Sequence, residues 1–208
     1  MFPNHPDLKY LKEAHDAETE TIDTEGYFLA YGESPFDGDE VAKRVYLDMI
    51  QSATDYIYIM TPYLVLDDEM IDNITYAAKR GVTVRILLPH IYDKQMAYLA
   101  ARTDFRTYLE SGIEIYEFTP GFVHSKVVLV DDKKATVGTV NMDFRSFYLN
   151  FECGLYVYNH RQVLEDIHKD FMHSFEQSER ITLLGFENNY PWYKRLAGAL
   201  LKILSPLL

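Results

Sequence analysis

The sequence has little cysteine, little basic charge and no long apolar run. Its single cysteine, Cys153, excludes an internal disulfide framework and is typical of a reducing compartment. Because Cys153 stands in the apolar run from 151 to 158, we predict a small buried side chain rather than a reactive thiol. Lys and Arg number 20 against 32 Asp and Glu, and the resulting net charge of −12 argues against a nucleic-acid partner.

Two further absences concern membranes. No run reaches the roughly 18 apolar residues that a membrane-spanning helix needs. The N-terminal residues also lack the pattern of a secretory signal peptide. The chain by itself is therefore expected to be soluble or peripheral.

What the sequence does have is enough apolar material for one domain. It contains 208 residues, of which 48% are hydrophobic, and this fits one globular unit with a core. Residues 1–25 are polar and acidic with weak apolar spacing, and we predict a tail or linker there. The domain itself is predicted over 26–188, and residues 189–208 are predicted to form a C-terminal amphipathic helix.

Strands and helices alternate along the predicted domain. Strands are predicted at 27–31, 55–60, 82–88, 113–118, 126–130, 135–137 and 151–158, and helices from 39, from 67, over 93–111 and over 160–176. Asp67 and Asp68 suit the N-cap and first turn of the second helix, and Gly81 after Lys79 and Arg80 suits its end. Buried strands that alternate with helices predict an α/β fold whose sheet is covered on both faces. Sites in such sheets lie beyond the strand ends.

The most informative stretch begins at His124. Lys126 is followed by apolar, mostly β-branched residues up to Val130, and this run predicts a buried strand. Since side chains alternate along a strand, His124 and Lys126 should point the same way at its beginning. An ammonium neutralises phosphate oxygens, and an imidazole can attack phosphorus or move a proton near neutral pH. The pair therefore suits phosphate ester chemistry.

The chain then turns back towards this pair. A polar turn that begins at Asp131 precedes the short predicted strand 135–137. That strand would return Gly138, Thr139 and Asn141 to the beginning of the first one. Small residues and an amide in such a place suit the close approach of an oxyanion.

The spacing of these residues, H-x-K-x4-D-x6-G-T-x-N, resembles the HKD signature of the phospholipase D superfamily. The flanking residues 120–123 and 142–152, the stretch 61–69 and the terminal 204–208 are similar to the second HKD half of bacterial cardiolipin synthases. The resemblance runs from about residue 27 to the end of the chain. It implies a phospholipase D-like sandwich, with a mixed central sheet and helices on both faces.

The resemblance also implies a reaction in two steps. One HKD histidine attacks phosphorus to form a phosphohistidine, and a second HKD histidine protonates the leaving alcohol. An incoming alcohol or water then completes the exchange without a metal or another cofactor. The sequence itself shows no convincing cluster of metal ligands.

Roles for individual residues follow from the same resemblance. His124 would be the nucleophile or the general acid, and both assignments stay open. Asp131 would complete the catalytic set of His124, Lys126 and Asp131 by holding the local geometry. Glu152 stands where the family has a carboxylate that can orient a histidine. The groups that would bind the substrate phosphate are Lys126, Thr139 and Asn141.

The chain departs from this family in the number of HKD copies. Cardiolipin synthases of this kind carry two copies after hydrophobic N-terminal segments, whereas here none of the other histidines precedes a lysine by two positions. The chain is then the C-terminal half of a longer synthase, one subunit of a homodimer in which each copy gives one His and one Lys, or an inactive remnant that binds a partner. The first explanation is favoured.

The last segment has a different character from the domain before it. Pro191 can start a helix, and the apolar positions after it are Trp192, Tyr193, Leu196, Ala199, Leu200, Ile203 and Leu204. Lys194, Arg195 and Lys202 supply the polar side. This cationic amphipathic pattern suits a membrane interface. The alternative is a helix that packs on the domain or on a second subunit.

The leading functional hypothesis is a phosphatidyltransferase half that makes cardiolipin and glycerol from two phosphatidylglycerols. Its expected partners are anionic phospholipid, a second HKD half and the cytoplasmic side of the cell membrane. One alternative is a homodimeric phosphodiesterase of the same superfamily that cuts phospholipid or nucleic acid, although the acidic charge weakens the nucleic-acid version. The other is a non-catalytic module that only binds phosphate.

Overall fold

The computed structural model describes residues 25–36 and 38–203, apart from the side chains of residues 195 and 203. The predicted tail, except for Glu25, and the terminal residues 204–208 lie outside this range. The strands are β1 (Tyr27–Glu33), β2 (Tyr56–Met60), β3 (Leu64–Val65), β4 (Thr83–Pro89), β5 (Glu114–Phe118), β6 (Val127–Val130), β7 (Lys134–Gly138), β8 (Met142–Asp143), β9 (Glu152–Tyr158) and β10 (Ser178–Ile181). The helices are α1 (Val41–Ser52), α2 (Asp68–Lys79), α3 (Gln95–Ala101), α4 (Phe105–Glu110), α5 (Phe144–Tyr148), α6 (Arg161–Glu176), α7 (Leu183–Asn189) and α8 (Trp192–Ile203).

A sheet of eight strands, in the order β1-β9-β7-β6-β2-β4-β5-β10, forms the centre of the domain. Strands β2, β4 and β5 run parallel, and the other neighbouring pairs are antiparallel. β3 and β8 form a separate parallel pair. The sheet is therefore mixed, as the resemblance implies.

Helices cover the sheet on both faces, and each face has its own apolar cluster. Ile57 and Ile59 of β2 belong to the cluster beneath α1, α2 and α4. Tyr58 and Met60 of the same strand belong to the cluster beneath α6, as the alternation of side chains along a strand requires. The predicted α/β class with helices on both faces is confirmed.

Helix α2 begins where its sequence signals place it. Asp67 Oδ1 accepts a hydrogen bond from the Met70 amide at 2.9 Å, so Asp67 is the N-cap. Gly81 follows the helix with a φ of +98°, a conformation that an L-residue rarely adopts and that commonly ends helices. The predicted cap and stop are both confirmed.

The prediction of a single helical stretch over 93–111 was wrong. Two short helices, α3 and α4, are separated by a turn at residues 102–104. Within that turn Arg102 forms a buried ion pair with Glu117 of β5, and Asp104 pairs with Lys202 of α8 at 2.9 Å. Contacts with distant residues therefore set the conformation of a stretch whose own sequence favours continuous helix.

Cys153 is exposed, contrary to the prediction of a small buried side chain. The apolar run that suggested burial forms β9, but only Gly154 and Val157 of this strand are buried. β9 lies between β7 and β1, and Cys153, Leu155 and Tyr158 of this strand are exposed. The apolar run in the sequence therefore does not correspond to a fully buried strand.

Candidate active site

His124 and Lys126 lie side by side just ahead of β6, as predicted. Lys126 Nζ is 3.0 Å from His124 Nδ1 and 2.6 Å from the His124 carbonyl oxygen. Lys126 is buried, with 8% of its surface exposed, whereas His124 is exposed. The ring of Phe122 stacks near His124, with centroids 5.8 Å apart. The buried ammonium thus holds an exposed imidazole in a defined position.

Burial lowers the pKa of the Lys126 ammonium, while the carboxylates of Glu152 and Asp143 act in the opposite direction and only partly offset it. A lysine in this position loses its proton more readily than a surface lysine. An ammonium has three N–H donors, and His124 accepts from it at two atoms. One donor remains for a ligand.

One open cavity of about 570 Å³ brings together four of the predicted site residues. These residues, which line the cavity with Gly138 and Ser125, are His124, Lys126, Thr139 and Asn141. The β6–β7 hairpin produces this arrangement because it pairs Val127 with Val137, so the residues before β6 and after β7 lie at the same end. The predicted return of the chain to the His/Lys pair is present.

Thr139 and Asn141 have different surroundings in this cavity. The Thr139 hydroxyl bonds the backbone of Cys153, 3.0 Å from its amide nitrogen and 3.3 Å from its carbonyl oxygen. The Asn141 side-chain amide donates to Ser146 Oγ at 3.1 Å. Asn141 Oδ1 is buried and has no hydrogen-bond partner among the described residues. Asn141 therefore has an unused acceptor, whereas the Thr139 hydroxyl is already engaged.

Asp131 does not lie in this cavity. It follows the far end of β6, where its carboxylate accepts hydrogen bonds from the amides of Thr54, Asp55 and Tyr56 at 2.8, 2.9 and 2.7 Å and from the Thr54 hydroxyl at 2.9 Å. Partial burial would raise the pKa of the Asp131 carboxyl, but these hydrogen bonds outweigh it and lower the pKa below its ordinary value. The structure thus separates Asp131 from His124 and Lys126, the other two members of the predicted catalytic set. It joins β6 to the loop before β2.

We expect Asp131→Ala to lower the free energy of unfolding by about 2 to 3 kcal/mol, because it leaves several backbone amides without their charged acceptor. Since the pKa of Asp131 is lowered in the folded state, this stabilisation is present above the unfolded pKa of about 3.9 and is lost as the pH falls through the folded value. Urea unfolding at pH 7 and at pH 3 measures both effects. Asp72→Ala, at an exposed position of α2, is the control. An equal loss in both variants at pH 7 would contradict the role of Asp131.

Glu152 faces Ser146 and Asn150 rather than His124. Glu152 Oε1 accepts from Ser146 Oγ at 3.2 Å and from the Asn150 amide at 3.1 Å. Ser146 is fully buried and also accepts from Asn141. A chain of hydrogen bonds therefore runs from the cavity through Asn141 and Ser146 to Glu152.

Asp143 joins the same group and was not predicted from the sequence. Its Oδ1 accepts from the Ser146 amide at 2.7 Å and caps α5. Burial raises the pKa of the Asp143 carboxyl, although hydrogen bonds from Ser146 and Asn141 act in the opposite direction. In the sequence it is an unremarkable member of the flank 142–152, so only the cap pattern with a small residue three positions later could have indicated it.

Tyr63 and Lys94 are further cavity residues that sequence reasoning missed. Lys94 Nζ lies 4.9 Å from the centre of the Tyr63 ring, and the Tyr63 hydroxyl donates to Asp93 at 2.6 Å. Lys94 also lines a smaller adjoining cavity with Asn141 and Arg145. In the sequence Lys94 has no feature that distinguishes it from a surface lysine. Two cations, Lys94 and Lys126, thus line this cavity, although the chain as a whole is acidic.

Two searches of the described residues bear on other kinds of site. Between residues 25 and 203, leaving out 37, no group of three or more His, Cys, Asp or Glu side chains is arranged to hold a metal ion. In the same part of the chain, no helix combines the length and the apolar character needed to cross a bilayer.

Comparison with known families shows to which family the chain belongs. The family model described as "Cardiolipin synthase, PLD-like domain" matches residues 46–177, which include β2 to β9 and every residue that lines the cavity. The chain belongs to the phospholipase D superfamily, in its cardiolipin synthase-like family. His124, Lys126 and Asp131 all lie within the matched residues.

Relatives of this phospholipase D-like domain are longer proteins. An uncharacterised protein of Streptococcus mutans is 46% identical over 88% of the chain and 39% of its own length. A cardiolipin synthase of Halalkalibacterium halodurans is 39% identical over 81% of the chain and 33% of its own length. The chain therefore spans between a third and two fifths of the length of these curated relatives.

Solved structures share the fold of the domain. Nuc from Salmonella typhimurium, a phospholipase D family member, superposes with a TM-score of 0.64 at 21% identity over 76% of this chain and 99% of its own. Phosphatidylserine synthase from Haemophilus influenzae superposes with a TM-score of 0.69 at 19% identity over 87% of this chain and 48% of its own. At these identities the likeness concerns the fold.

Proposed function

We propose that the domain is one half of a phosphatidyltransferase that makes cardiolipin and glycerol from two molecules of phosphatidylglycerol. The observation that carries the proposal is the cavity in which the His124 imidazole, the Lys126 ammonium and the Asn141 amide converge. An imidazole beside a cation suits transfer at phosphorus. The cardiolipin synthase-like family match supports the choice of substrate.

For His124 we propose the role of general acid and then general base. The Lys126 ammonium donates to His124 Nδ1 in the free site, and it would turn to the substrate phosphate on binding, so that both ring nitrogens of His124 can carry a proton. A histidine of a second HKD half would attack phosphorus, and the bond from phosphorus to the glycerol oxygen would break. The His124 imidazolium would give its Nε2 proton to that oxygen, become a neutral imidazole and release glycerol. It would then take the proton from the hydroxyl of the second phosphatidylglycerol as this oxygen displaces the histidine.

Two groups of this chain would hold the substrate during the exchange. The remaining N–H donor of Lys126 would bind a phosphate oxygen as negative charge increases there. Asn141, whose side chain lines the cavity, would contact the substrate phosphate, which is the role that the family resemblance implies for it. Thr139 would contribute less, because its hydroxyl bonds Cys153.

The proposed reaction requires a second HKD half. Among the described residues that line the cavity, His124 is the only histidine, so the second one must come from outside this domain. Val137 at the cavity wall and Leu155 beside it on β9 are 40% and 39% exposed, and they offer an apolar surface for that half. Glu152 would then orient the incoming histidine, which is the role that the family resemblance implies for it.

Phosphatidylglycerol resides in membranes, so we propose the cytoplasmic side of the cell membrane as the place of action. The free thiol of Cys153 is compatible with the reducing conditions of that side. The anionic headgroup of the substrate is matched by Lys126 and Lys94 around the cavity.

Ser146→Ala is expected to lower kcat about tenfold with little change in KM, because it removes the hydroxyl that holds Asn141 and Glu152 in place. Steady-state kinetics on phosphatidylglycerol measures the two constants separately. Ser174→Ala removes another buried hydroxyl, on α6 and away from the cavity, and should leave kcat unchanged. An equal fall of kcat in both variants would show that the effect is general destabilisation.

Product analysis tests the proposed function directly. The purified chain is incubated with phosphatidylglycerol vesicles, and lipids and glycerol are measured while light scattering reports the oligomeric state. Cardiolipin with an equal amount of glycerol is the expected result. Phosphatidic acid with glycerol would instead indicate a phosphodiesterase. If a monomer gives no product, the separately expressed N-terminal half of a full-length relative is added, and continued inactivity of the folded mixture would overturn the proposal.

A further inference from the structure

The last helix, α8, exposes the apolar side of its amphipathic pattern. Trp192, Tyr193, Leu196 and Leu200 are 74%, 57%, 55% and 59% exposed. With 3.6 residues per turn, the four positions fall within an arc of about 100° around the helix axis. A surface helix of a globular domain normally turns such a stripe towards the core. Here the stripe faces outward.

The opposite side of α8 packs against the domain through a glycine. Gly198 is buried, and a methyl group at its Cα would meet the Leu99 carbonyl oxygen and the Thr103 hydroxyl at 2.5 and 2.6 Å. Lys202 on this side pairs with Asp104 at 2.9 Å. These contacts set the rotation of α8 about its own axis. α8 therefore packs on the domain through the side that carries Gly198. This packing does not account for the apolar stripe on the other side of the helix.

The charge of the C-terminal segment indicates which kind of surface the outward stripe is suited to bind. Residues 190–208 contain Lys194, Arg195 and Lys202 and no Asp or Glu, in a chain whose net charge is −12. Trp and Tyr have an apolar body and a polar tip, which suits the boundary between lipid and water. An outward apolar stripe on a locally cationic segment is complementary to an anionic lipid surface. A partner protein with a purely apolar surface would have no negative charge to match Lys194, Arg195 and Lys202.

Helix α3 connects this stripe to the cavity. Its Leu99 contacts α8, and Lys94, immediately before its first residue, lines the cavity. The two positions are five residues apart, which corresponds to about 7.5 Å along a helix. Ile91, Tyr92 and Met96, around the start of α3, are 56%, 46% and 56% exposed. Exposed apolar side chains are thus present both on α8 and around the start of α3.

We propose that α8, together with Ile91, Tyr92 and Met96, docks the domain on the surface of an anionic membrane. The stripe enters the interface between headgroups and acyl chains, and α3 holds the cavity close to the headgroups. The lipid is then reached without being extracted from the bilayer. This inference rests on the proposed function, because there the membrane lipid is the substrate.

Trp192 is the only tryptophan of the chain, so its fluorescence reports on α8 alone. We expect its emission to shift to shorter wavelength, and the protein to sediment, with vesicles of phosphatidylglycerol and phosphatidylcholine but much less with phosphatidylcholine alone. Tyr193→Glu should weaken binding about tenfold or more, because it puts a charge into the apolar stripe. Tyr76→Glu is the matched control, since Tyr76 on α2 is also well exposed, at 64%.

Additional measurements distinguish a failure of this inference from a failure of the proposed function. His124→Ala should bind vesicles like the wild type, which supports docking even if the chain shows no turnover. Turnover of soluble short-chain phosphatidylglycerol without vesicle binding would preserve the proposed function and overturn docking. Docking would also be overturned if folded wild-type protein did not bind the anionic vesicles, or if Tyr193→Glu dissociated a dimer without changing vesicle binding, which would assign the stripe to a second copy.

Discussion

His124→Ala should lower the turnover of phosphatidylglycerol by a factor of about 10⁴ in an assembled site. The variant lacks the group that protonates the leaving glycerol and later accepts the proton of the incoming hydroxyl. His124 is exposed, so its removal leaves no cavity in the core, and the unfolding curve should remain close to that of the wild type. The rate of glycerol release, with the second HKD half present, measures the effect.

The control for this prediction is His173→Ala, which removes an exposed imidazole of α6. Its turnover should equal that of the wild type. If the general-acid role is right, acid quenching of the reaction should recover phosphohistidine on the second HKD half and none on His124. Recovery of phosphate on His124 of a chain that cannot pair with itself would reverse the assignment. Retention of a tenth of the activity by His124→Ala would contradict a direct role in the reaction.

Lys126→Met should lower turnover by a factor of about 10² to 10³, because one preorganised charged donor to the phosphate is lost. The same change should stabilise the fold by about 1 kcal/mol, as is common when a buried charged group is removed from an active site. The physical reason is that burial lowers the pKa of Lys126, so the folded state disfavours the charged amine. Lower activity combined with higher stability is a result that a merely structural lysine would not produce.

The pH dependence of this effect has a definite sign. Below the lowered folded pKa, the folded protein bears the full cost of keeping Lys126 charged. This cost disappears as the pH rises from the folded pKa towards the unfolded value of about 10.4. The stability gain of Lys126→Met should therefore be largest near pH 7 and vanish in alkaline solution, as followed by urea unfolding. Lys133→Met, at an exposed position in the turn after β6, should show no gain at either pH. A gain that is constant with pH would contradict the assignment.

Local sequence signals predicted the parts of the fold that depend on local physics. The apolar run after Lys126 is strand β6, and the Asp67 cap and Gly81 stop are the ends of α2. The hairpin at Asp131 brings the residues after β7 back to His124, as turn chemistry suggested. In each case neighbours in sequence supply the deciding interactions.

The missed features depend on residues that are distant in sequence. The break between α3 and α4 depends on the pairing of Arg102 with Glu117, and neither residue indicates the other in the sequence. The short edge strand β10 has only half-buried and exposed residues, so it lacks the apolar run that marks β6. Lys94 enters the site because α3 places it there, and nothing in its local sequence indicates this.

The site was predicted unevenly for the same reason. Spacing alone placed His124, Lys126 and Asn141 around one cavity, because a two-stranded hairpin joins them. Asp131 belongs to the same spacing pattern, but the length of β6 carries it to the opposite end of the strand. The sequence pattern alone does not show which residues lie at the end of β6 that faces the substrate and which lie at the end that contacts the loop before β2.

The distance between Asp131 and the His/Lys pair has a consequence for mixed populations of this protein in a cell. The hydrogen bonds of the Asp131 carboxylate and the reacting groups lie at opposite ends of β6. A copy of the protein that has lost His124 therefore keeps the contacts that stabilise its fold. Where the second HKD half is carried by a separate chain, such a copy should still occupy the pairing surface of its partner and contribute nothing to the exchange. In that arrangement inactive alleles at His124 are expected to be dominant negative, whereas alleles at Asp131, which weaken folding, should be recessive.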